Sequence, residues 1–289
     1  MVQVRAQRSL SLAEHADVTA FLEASYAAGS TRLNDHLTSD LTHGERDGFR
    51  AAIASDGDAI VGYAQASAAN DGVVVGVVTS SADDLEPLLR ELLRMVPTAS
   101  AVTWWSTEAS AAVAAELGLL ADRRLFRMGR ALPIATTTDV ALRSFRVGVD
   151  EQTWLAVNNA AFGSHGEQGG WDLATLRQRE RESWFDSEGF LLHERDGRLA
   201  AFCWTKVHPG AVLTGEIYVI AVHPDFHGHG LGKALTVAGL QHLHSVGAEA
   251  AMLYVDAVNT AAVGLYRALG FEVEHIDQSY HRAAQGASS

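Results

Sequence analysis

Apolar positions along the chain fall into short strand-like runs and longer helix-like stripes, and their order occurs twice. In the first half, two apolar runs flank the turn Asp56-Gly57-Asp58, which predicts a β-hairpin. Gly118 ends the last helix of this half, because glycine readily adopts the left-handed backbone conformation that often follows a helix. The elements predicted here are helices over residues 10–28, 83–95 and 110–117, and strands over residues 49–55, 59–66, 73–78, 101–106 and 124–132.

The second half repeats this order after residues 133–139, the best linker candidate by composition. The turn Asp196-Gly197 corresponds to the first hairpin turn, and Leu269-Gly270 corresponds to Leu117-Gly118. We therefore predict an α/β chain with two tandem copies of one domain, over residues 1–135 and 141–289. The predicted elements are strands over residues 142–147, 190–195, 199–207, 215–222, 251–256 and 271–276, and helices over residues 151–162, 173–184, from 230 onward, and 260–269.

The segment 215–233 passes from a strand through a glycine-rich turn into a helix. Its apolar run is typical of a strand buried on both faces, and Pro224 ends the ladder. Gly228, Gly230 and Gly232 then open the helix, where unpaired N–H groups and the helix dipole favour an anion. The pattern predicts a phosphate group held by backbone amides.

Two familiar phosphate loops do not fit this spacing. Lys233 stands where a dinucleotide fingerprint that starts at Gly228 needs its third glycine, and Ala234 stands where a nucleoside-triphosphate loop needs Ser or Thr. In the first copy the corresponding segment, 79–84, is short and contains no glycine, and Ala114 corresponds to Tyr266. We therefore expect the N-terminal copy to be catalytically silent.

The charge balance narrows the class of partner. Thirty-five acidic against 22 basic residues give a net charge of −13, which argues against binding to a nucleic-acid backbone. The sequence has neither a signal-type apolar region at its start nor an apolar run long enough to span a bilayer. We expect a cytoplasmic monomer without a membrane partner. The single cysteine, Cys203, excludes an internal disulfide and is interpreted as a small core residue.

Two side chains near the glycine turn are candidates for proton transfer. Glu216 lies at the mouth of the apolar strand, where a carboxylate is costly unless it has a partner or a role; it is either a base or a partly exposed strand-end carboxylate. Tyr266 is either a proton donor or a half-buried aromatic residue. His223, His227 and His229 lack a matching cysteine or carboxylate, so we expect solvated histidines and no metal.

The glycine turn His227-Gly-His-Gly-Leu-Gly232 resembles the acetyl-CoA signature of the GNAT N-acetyltransferases, which is Arg or Gln, two residues, Gly, one residue, Gly or Ala. His227 departs from the first position of that signature. The segment from Asn259 through Tyr266 to Leu269-Gly-Phe271 is similar to the family's Asn-to-Tyr helix. The resemblance implies two tandem GNAT domains, each a mixed, mostly antiparallel sheet flanked by helices, with an acetyl-CoA loop only in the second.

The second half more narrowly resembles the mycothiol synthase family of actinobacteria. That resemblance implies an acetyltransferase that moves acetyl from acetyl-CoA to the cysteinyl amine of cysteinyl-glucosaminyl-inositol. The matching segments are Asn158–Phe162, Glu167–Trp171, Trp184–Asp186, Trp204–Pro209, Gly215–Val219 and Leu253–Val255.

The resemblance also implies roles for individual residues. Glu216 would be the base, through water, and Tyr266 the acid. The substrate contacts would be Asp35, Glu167, Lys206, Glu216 and Tyr254. Acetyl-CoA would be bound by Ile220, Ala221, Val222, His227, Gly228, His229, Gly230, Leu231, Gly232 and Lys233, and flanked by Asn259, Thr260, Ala261, Ala262, Val263 and Gly264.

Two other readings remain open at this point. The chain could acetylate another small amine or a peptide N-terminus, although the segments around Glu167 and Lys206 favour the sugar-inositol substrate. It could also be a non-catalytic CoA-binding module, although Glu216 and Tyr266 both occur in the copy that keeps the glycine turn.

Overall fold

The chain forms two compact units in the computed structural model, which describes residues 2–30, 32–69, 72–163 and 169–285. One unit comprises Met1–Arg124 together with Asp277–Ser289, and the other comprises Leu125–Ile276. The expected boundaries at 135 and 141 therefore differ from these, because the last strand returns to the first unit. The expected α/β class with mixed, mostly antiparallel sheets is confirmed.

The first unit contains a five-stranded run of sheet in the order β1-β2-β3-β4-β5, with helices packed against it. Only β4 and β5 run parallel; the other neighbours are antiparallel. Its elements are β1 (Gln3–Gln7), α1 (Leu12–Ala27), α2 (Asp35–His43), β2 (Arg50–Asp56), β3 (Ala59–Ala69), β4 (Gly72–Thr79), α3 (Leu85–Met95), β5 (Val102–Ser106) and α4 (Ala111–Glu116), and β6 (Leu120–Ala131) begins here.

Two elements of the first unit were absent from the sequence prediction. β1 has a polar sequence, and it is a strand because it pairs antiparallel with β2 from Gln3 to Gln7. α2 begins in a polar stretch, where the side chain of Asn34 accepts a hydrogen bond from the N–H of Leu37. Leu33 and Leu37 then pack over Gly76 of β4, where a Cβ atom would lie 2.5–2.6 Å from their methyl groups.

The second unit has the strand order β6-β11-β10-β9-β8-β7. Here only β10 and β11 are parallel. Its elements after β6 are β7 (Arg143–Ser144), α5 (Glu151–Ala161), α6 (Leu173–Glu180), β8 (Phe190–Arg195), β9 (Arg198–His208), β10 (Thr214–Val222), α7 (Leu231–Ser245), β11 (Ala250–Asp256), α8 (Thr260–Ala268) and β12 (Glu272–Arg282).

Several predicted elements have different bounds in the structure. The strand expected over 142–147 is reduced to Arg143–Ser144, because the chain turns towards Asp150 directly afterwards. The helix expected over 173–184 ends at Glu180. The last strand extends from Glu272 to Arg282, and its residues 278–282 pair with β5.

The two faces of the second unit's sheet carry separate apolar cores. One face packs under α7 and α8 and includes Cys203, Ile217 and Leu253. The other packs under α5 and α6 and includes Trp154 and Trp204. Gly239 of α7 permits close packing on the first face, because a Cβ atom there would lie 2.7 Å from the sulfur of Cys203. Among the helices that the structure describes, none is long and apolar enough to cross a membrane.

Asp150 joins the start of α5 to the edge strand. Its buried carboxylate accepts two hydrogen bonds from the guanidinium of Arg143, at 2.7 and 3.0 Å, and one from the N–H of Arg146, at 2.8 Å. Burial by itself raises the pKa of this carboxyl group, but the hydrogen bonds from Arg143 and Arg146 outweigh it and lower the pKa to about 2.

Replacing Asp150 with Asn should lower the free energy of unfolding at neutral pH by on the order of 2 kcal/mol. The pKa in the folded chain is below the ordinary value of 3.8, so the contribution is present above that value and is lost as the pH falls towards about 2. Urea unfolding at about pH 7 should therefore show the full difference in free energy of unfolding between the two proteins. At about pH 3, which is still above the folded pKa, the difference should fall to roughly half. Asp196→Asn, at an exposed turn, is the control, and an equal gap at both pH values would contradict the assignment.

Candidate active site

The two central strands β10 and β11 of the second unit separate halfway along their length. They pair from Thr214 to Ile217 only, although β10 continues to Val222 and β11 to Asp256. A β-bulge at Tyr218 accompanies the separation, because the register of β10 against β9 shifts between Ile217 and Val219. Over residues 219–222, the side of β10 that faces β11 is therefore not paired with that strand, and these residues include the predicted donor contacts Ile220, Ala221 and Val222.

The glycine turn leads directly from this gap into α7. Gly228 and Gly230 have φ angles of 79° and 73°, a conformation that favours glycine, and Gly230 occupies the N-cap without a side-chain hydrogen bond. The N–H groups of Leu231, Gly232 and Lys233 form the first turn of α7, where no intrahelical partner exists. A Cβ atom at Gly228 or Gly230 would meet no atom within 4 Å, so open space lies beside these amides. This is the geometry of an anion site.

The histidines of the turn bond to its own backbone. Nε2 of His227 donates to the carbonyl oxygen of Val222 at 3.0 Å, and Nδ1 of His229 donates to that of His227 at 2.9 Å. These bonds stabilise the shape of the loop. A contact between the His227 ring and a phosphate stays a prediction. Within the described ranges, no three His, Cys, Asp or Glu side chains are grouped so that they could hold a metal ion.

Glu216 lies on the sheet face that is opposite α7. Its neighbour Gly215 faces α7 so closely that a Cβ atom there would lie 2.5 Å from Leu243, and alternation places Glu216 on the other side. The residue is 7% exposed. Nε2 of His208, the last residue of β9, lies 2.6 Å from Oε2 of Glu216. Lys206 is the direct partner of Glu216 on β9 and shares its face.

Aromatic rings enclose the ammonium group of Lys206. Its Nζ atom lies 4.6 Å from the ring centre of Trp184 and 5.3 Å from that of Tyr218. The two rings contact each other at 4.9 Å, and Tyr218 also packs on Trp204. Lys206 is only 8% exposed, so these cation–π contacts stabilise a nearly dehydrated charge.

Tyr254 lies on the same face, one strand further along the sheet. The register pairs Glu216 with Met252 of β11, and Tyr254 follows two residues later. The Tyr254 side chain is 46% exposed. Lys206, Glu216 and Tyr254, which the sequence analysis assigned to one acceptor site, therefore share one face of three neighbouring strands.

Several further residues of this face were missed by the sequence analysis. Arg127 of β6 is the register partner of Tyr254 and lies 3.5 Å from Glu274 of β12. His208 could have been found by alternation, because it follows Lys206 by two residues on the same strand. Trp184 and Tyr218 carry no local signal, since their meeting over Lys206 depends on tertiary packing.

Tyr266 lies on the other face of the sheet, in the core beneath α7 and α8. It is 8% exposed and packs on Phe271 with ring centres 5.9 Å apart. Burial raises the pKa of the Tyr266 phenol well above its usual range, and nearby Cys203 adds to this. Its hydroxyl has no hydrogen-bond partner among the residues that the structure describes. The start of α8 is capped by Asn259, whose side chain accepts a hydrogen bond from the N–H of Ala262 at 3.1 Å.

Two predicted substrate contacts cannot be placed with the others. Glu167 lies outside the described residues. Asp35 is the first residue of α2, in the first unit. Both assignments stay predictions.

The chain is similar to a known family over part of its length and to curated proteins over nearly all of it. Residues 154–271 match the acetyltransferase (GNAT) family. A mycothiol acetyltransferase from Thermobispora bispora is 40% identical over 279 residues, which cover 92% of this chain and 95% of that protein. A mycothiol acetyltransferase from Stackebrandtia nassauensis is 38% identical over 304 residues, covering 98% and 99%.

Solved structures show the same fold at low sequence identity. A tandem GNAT protein from the clavulanic acid biosynthesis pathway superimposes with a TM-score of 0.68 and 15% identity, and the match covers the whole of both chains. A GCN5-related N-acetyltransferase from Sphaerobacter thermophilus gives a TM-score of 0.64 with 19% identity over 96% of this chain and 95% of its own. The tandem GNAT architecture expected from the sequence is confirmed.

Proposed function

This chain belongs to the mycothiol acetyltransferases, acetyl-CoA-dependent N-acetyltransferases of the GNAT family, and we propose that its acceptor is the cysteinyl amine of cysteinyl-glucosaminyl-inositol. The product would be mycothiol. The observation that carries the proposal is the gap between β10 and β11, which opens beside both the glycine turn and a face lined by Lys206 and Glu216.

The donor binds along the gap. The pantetheine arm of acetyl-CoA contains amide groups, and these pair with the backbone of Ile220, Ala221 and Val222 as a further strand would. The diphosphate lies at the start of α7, on the N–H groups that follow Gly230. Asn259 to Gly264 flank the coenzyme from α8. This places the thioester near the bulge at Tyr218, where the two strands part.

Glu216 is the base. The acceptor enters as an ammonium group and gives up one proton to Glu216, through a water molecule, before its nitrogen attacks the thioester carbon. A C–N bond forms and the C–S bond breaks. The nitrogen loses a second proton as the tetrahedral intermediate collapses. Of the two protons that the nitrogen loses, one restores the proton that the acid gives to the sulfur, and the other passes to solvent.

Tyr266 is the acid. The raised pKa keeps its phenol protonated at neutral pH, so it can donate to the departing sulfur. A thiol is ordinarily the stronger acid of the two, and burial raises the pKa of both kinds of group in this core. The proton therefore passes to the sulfur as the C–S bond breaks and negative charge develops there.

The acceptor's polar groups match the face on which Glu216 lies. A polyhydroxylated sugar with an ammonium group requires several charged and hydroxyl partners around a cleft, and Lys206, Glu216 and Tyr254 supply them. The contacts that the family resemblance implies for Glu167 and for Asp35 stay predictions.

Replacing Tyr266 with Phe should lower kcat by roughly a hundredfold while changing KM for acetyl-CoA little, because the hydroxyl acts only on the departing sulfur. The melting temperature should stay close to that of the parent protein, since the hydroxyl has no hydrogen-bond partner within the part of the chain that the structure describes. Tyr254→Phe is the matched control: it should raise KM for the acceptor instead. A Tyr266→Phe variant with full kcat would remove Tyr266 as the acid.

The test of the substrate is a competition among amines. Purified protein is given acetyl-CoA and cysteinyl-glucosaminyl-inositol, a free cysteine ester, glucosamine or a short peptide, and the acetylated products are identified by mass spectrometry. We expect kcat/KM for cysteinyl-glucosaminyl-inositol to exceed the others by at least about a hundredfold, since the sugar and inositol contribute several polar contacts. Equal rates with the peptide would favour acetylation of another amine, and no turnover with any amine would favour a non-catalytic CoA-binding module.

A further inference from the structure

The proposed reaction assigns no role to the close contact between His208 and Glu216. The donor–acceptor distance of 2.6 Å is short for a hydrogen bond from a ring nitrogen to an oxygen. Because a carboxylate only accepts, Nε2 of the ring carries the hydrogen. Glu216 is nearly buried, with a side chain 9% exposed, whereas the His208 side chain is 34% exposed. The ring therefore connects a buried carboxylate to the edge of the site.

Only one of the two carboxylate oxygens is used by this contact. Oε2 accepts from His208, and Oε1 has no hydrogen-bond partner among the residues that the structure describes. Lys206, which is directly opposite on β9, directs its ammonium group to Trp184 and Tyr218. The rotation of the Glu216 carboxylate is thus fixed from one side, by the imidazole.

We propose that His208 is a positioning residue for Glu216, whose Nε2–H group holds Oε2 so that Oε1 takes the proton from the acceptor amine. This rests on the proposed role of Glu216 as the base. Holding one oxygen removes the rotational freedom that would otherwise carry the carboxylate away from the amine, and a small misplacement of a base lowers the rate of proton transfer.

The test compares two substitutions of similar polarity. His208→Gln places an amide N–H near the position of Nε2 and keeps the hydrogen bond, whereas His208→Asn is too short to reach Oε2. We expect His208→Asn to lower kcat by about ten- to a hundredfold with KM for acetyl-CoA nearly unchanged, and His208→Gln to restore most of the loss.

His193→Asn serves as the control. His193 lies on β8 of the same sheet and bonds through Nδ1 to the carbonyl oxygen of Ala141, so its loss reports only general effects on the sheet. Thermal melting of all variants separates folding from catalysis. Wild-type kcat in His208→Asn, or equal losses of kcat in the Asn and Gln variants, would overturn the proposal. If Glu216→Gln also kept full turnover, the base itself would be wrong; if Glu216→Gln alone lost turnover, only the role of His208 would be.

Discussion

Glu216→Gln is expected to abolish most of the turnover, with kcat lower by about 10²–10⁴-fold. The amide has the same shape and keeps a hydrogen bond with His208, but it cannot accept the proton of the ammonium group. KM for acetyl-CoA should change little, since Glu216 lies beyond the end of the gap that binds the donor. The acceptor carries its own thiol, so the rate should be followed by loss of thioester absorbance or by mass spectrometry of the product, not by a thiol reagent.

The control for this substitution is Glu249→Gln, at an exposed position before β11, which should have wild-type kinetics. A rise in pH offers a second check. Raising the pH deprotonates the amine in solution, so part of the loss in Glu216→Gln should be recovered at alkaline pH if Glu216 removes that proton. A loss that is the same at every pH would assign Glu216 to binding instead of to proton transfer.

Gly232→Ala is expected to separate stability from donor binding. Gly232 is inside the first turn of α7, and a Cβ atom there would lie 3.7 Å from Leu265, which is ordinary contact. Alanine favours a helix over glycine by about 1 kcal/mol, so the melting temperature should rise or stay unchanged. The acetyl-CoA signature that the turn resembles accepts Gly or Ala at this position, so KM for acetyl-CoA should stay close to that of the parent protein. Isothermal titration with CoA checks the affinity directly.

Two left-handed glycines provide a matched control for the same site. Gly230 precedes α7 and Gly118 follows α4; both have a φ angle of 73°, and a Cβ atom would meet nothing within 4 Å at either. Alanine should therefore destabilise the chain by about 1 kcal/mol at both positions. Only Gly230→Ala should also weaken CoA binding. Equal CoA affinity in both variants would place the diphosphate away from the glycine turn.

The backbone of the candidate site was easier to predict from the sequence than its walls. The glycine turn and the strand before it follow from local rules, because a positive φ angle and an apolar run each leave a mark in consecutive residues. The gap between β10 and β11 leaves no such mark, since it depends on where two distant strands cease to pair. The aromatic enclosure of Lys206 likewise joins Trp184 and Tyr218 from separate elements.

Elements with weak local patterns were missed for a related reason. β1 is polar and α2 is short, and each is stabilised by what it packs on or pairs with. The last predicted strand stops at residue 276, because residues 277–282 are mostly polar, although Tyr280 among them is buried. His208 could have been predicted, because its spacing from Lys206 is the period of a strand.

The last strand has a consequence for how the protein is made. Tyr280 fills the core of the first unit, where it packs on Trp104 at 5.3 Å and donates a hydrogen bond to the carbonyl oxygen of Thr107. Translation adds this residue only after all of residues 125–276, the second unit, have been synthesised. The nascent N-terminal region therefore waits for its final sheet strand until that unit has been translated, and a chain cut short before residue 277 would leave Trp104 without its cover.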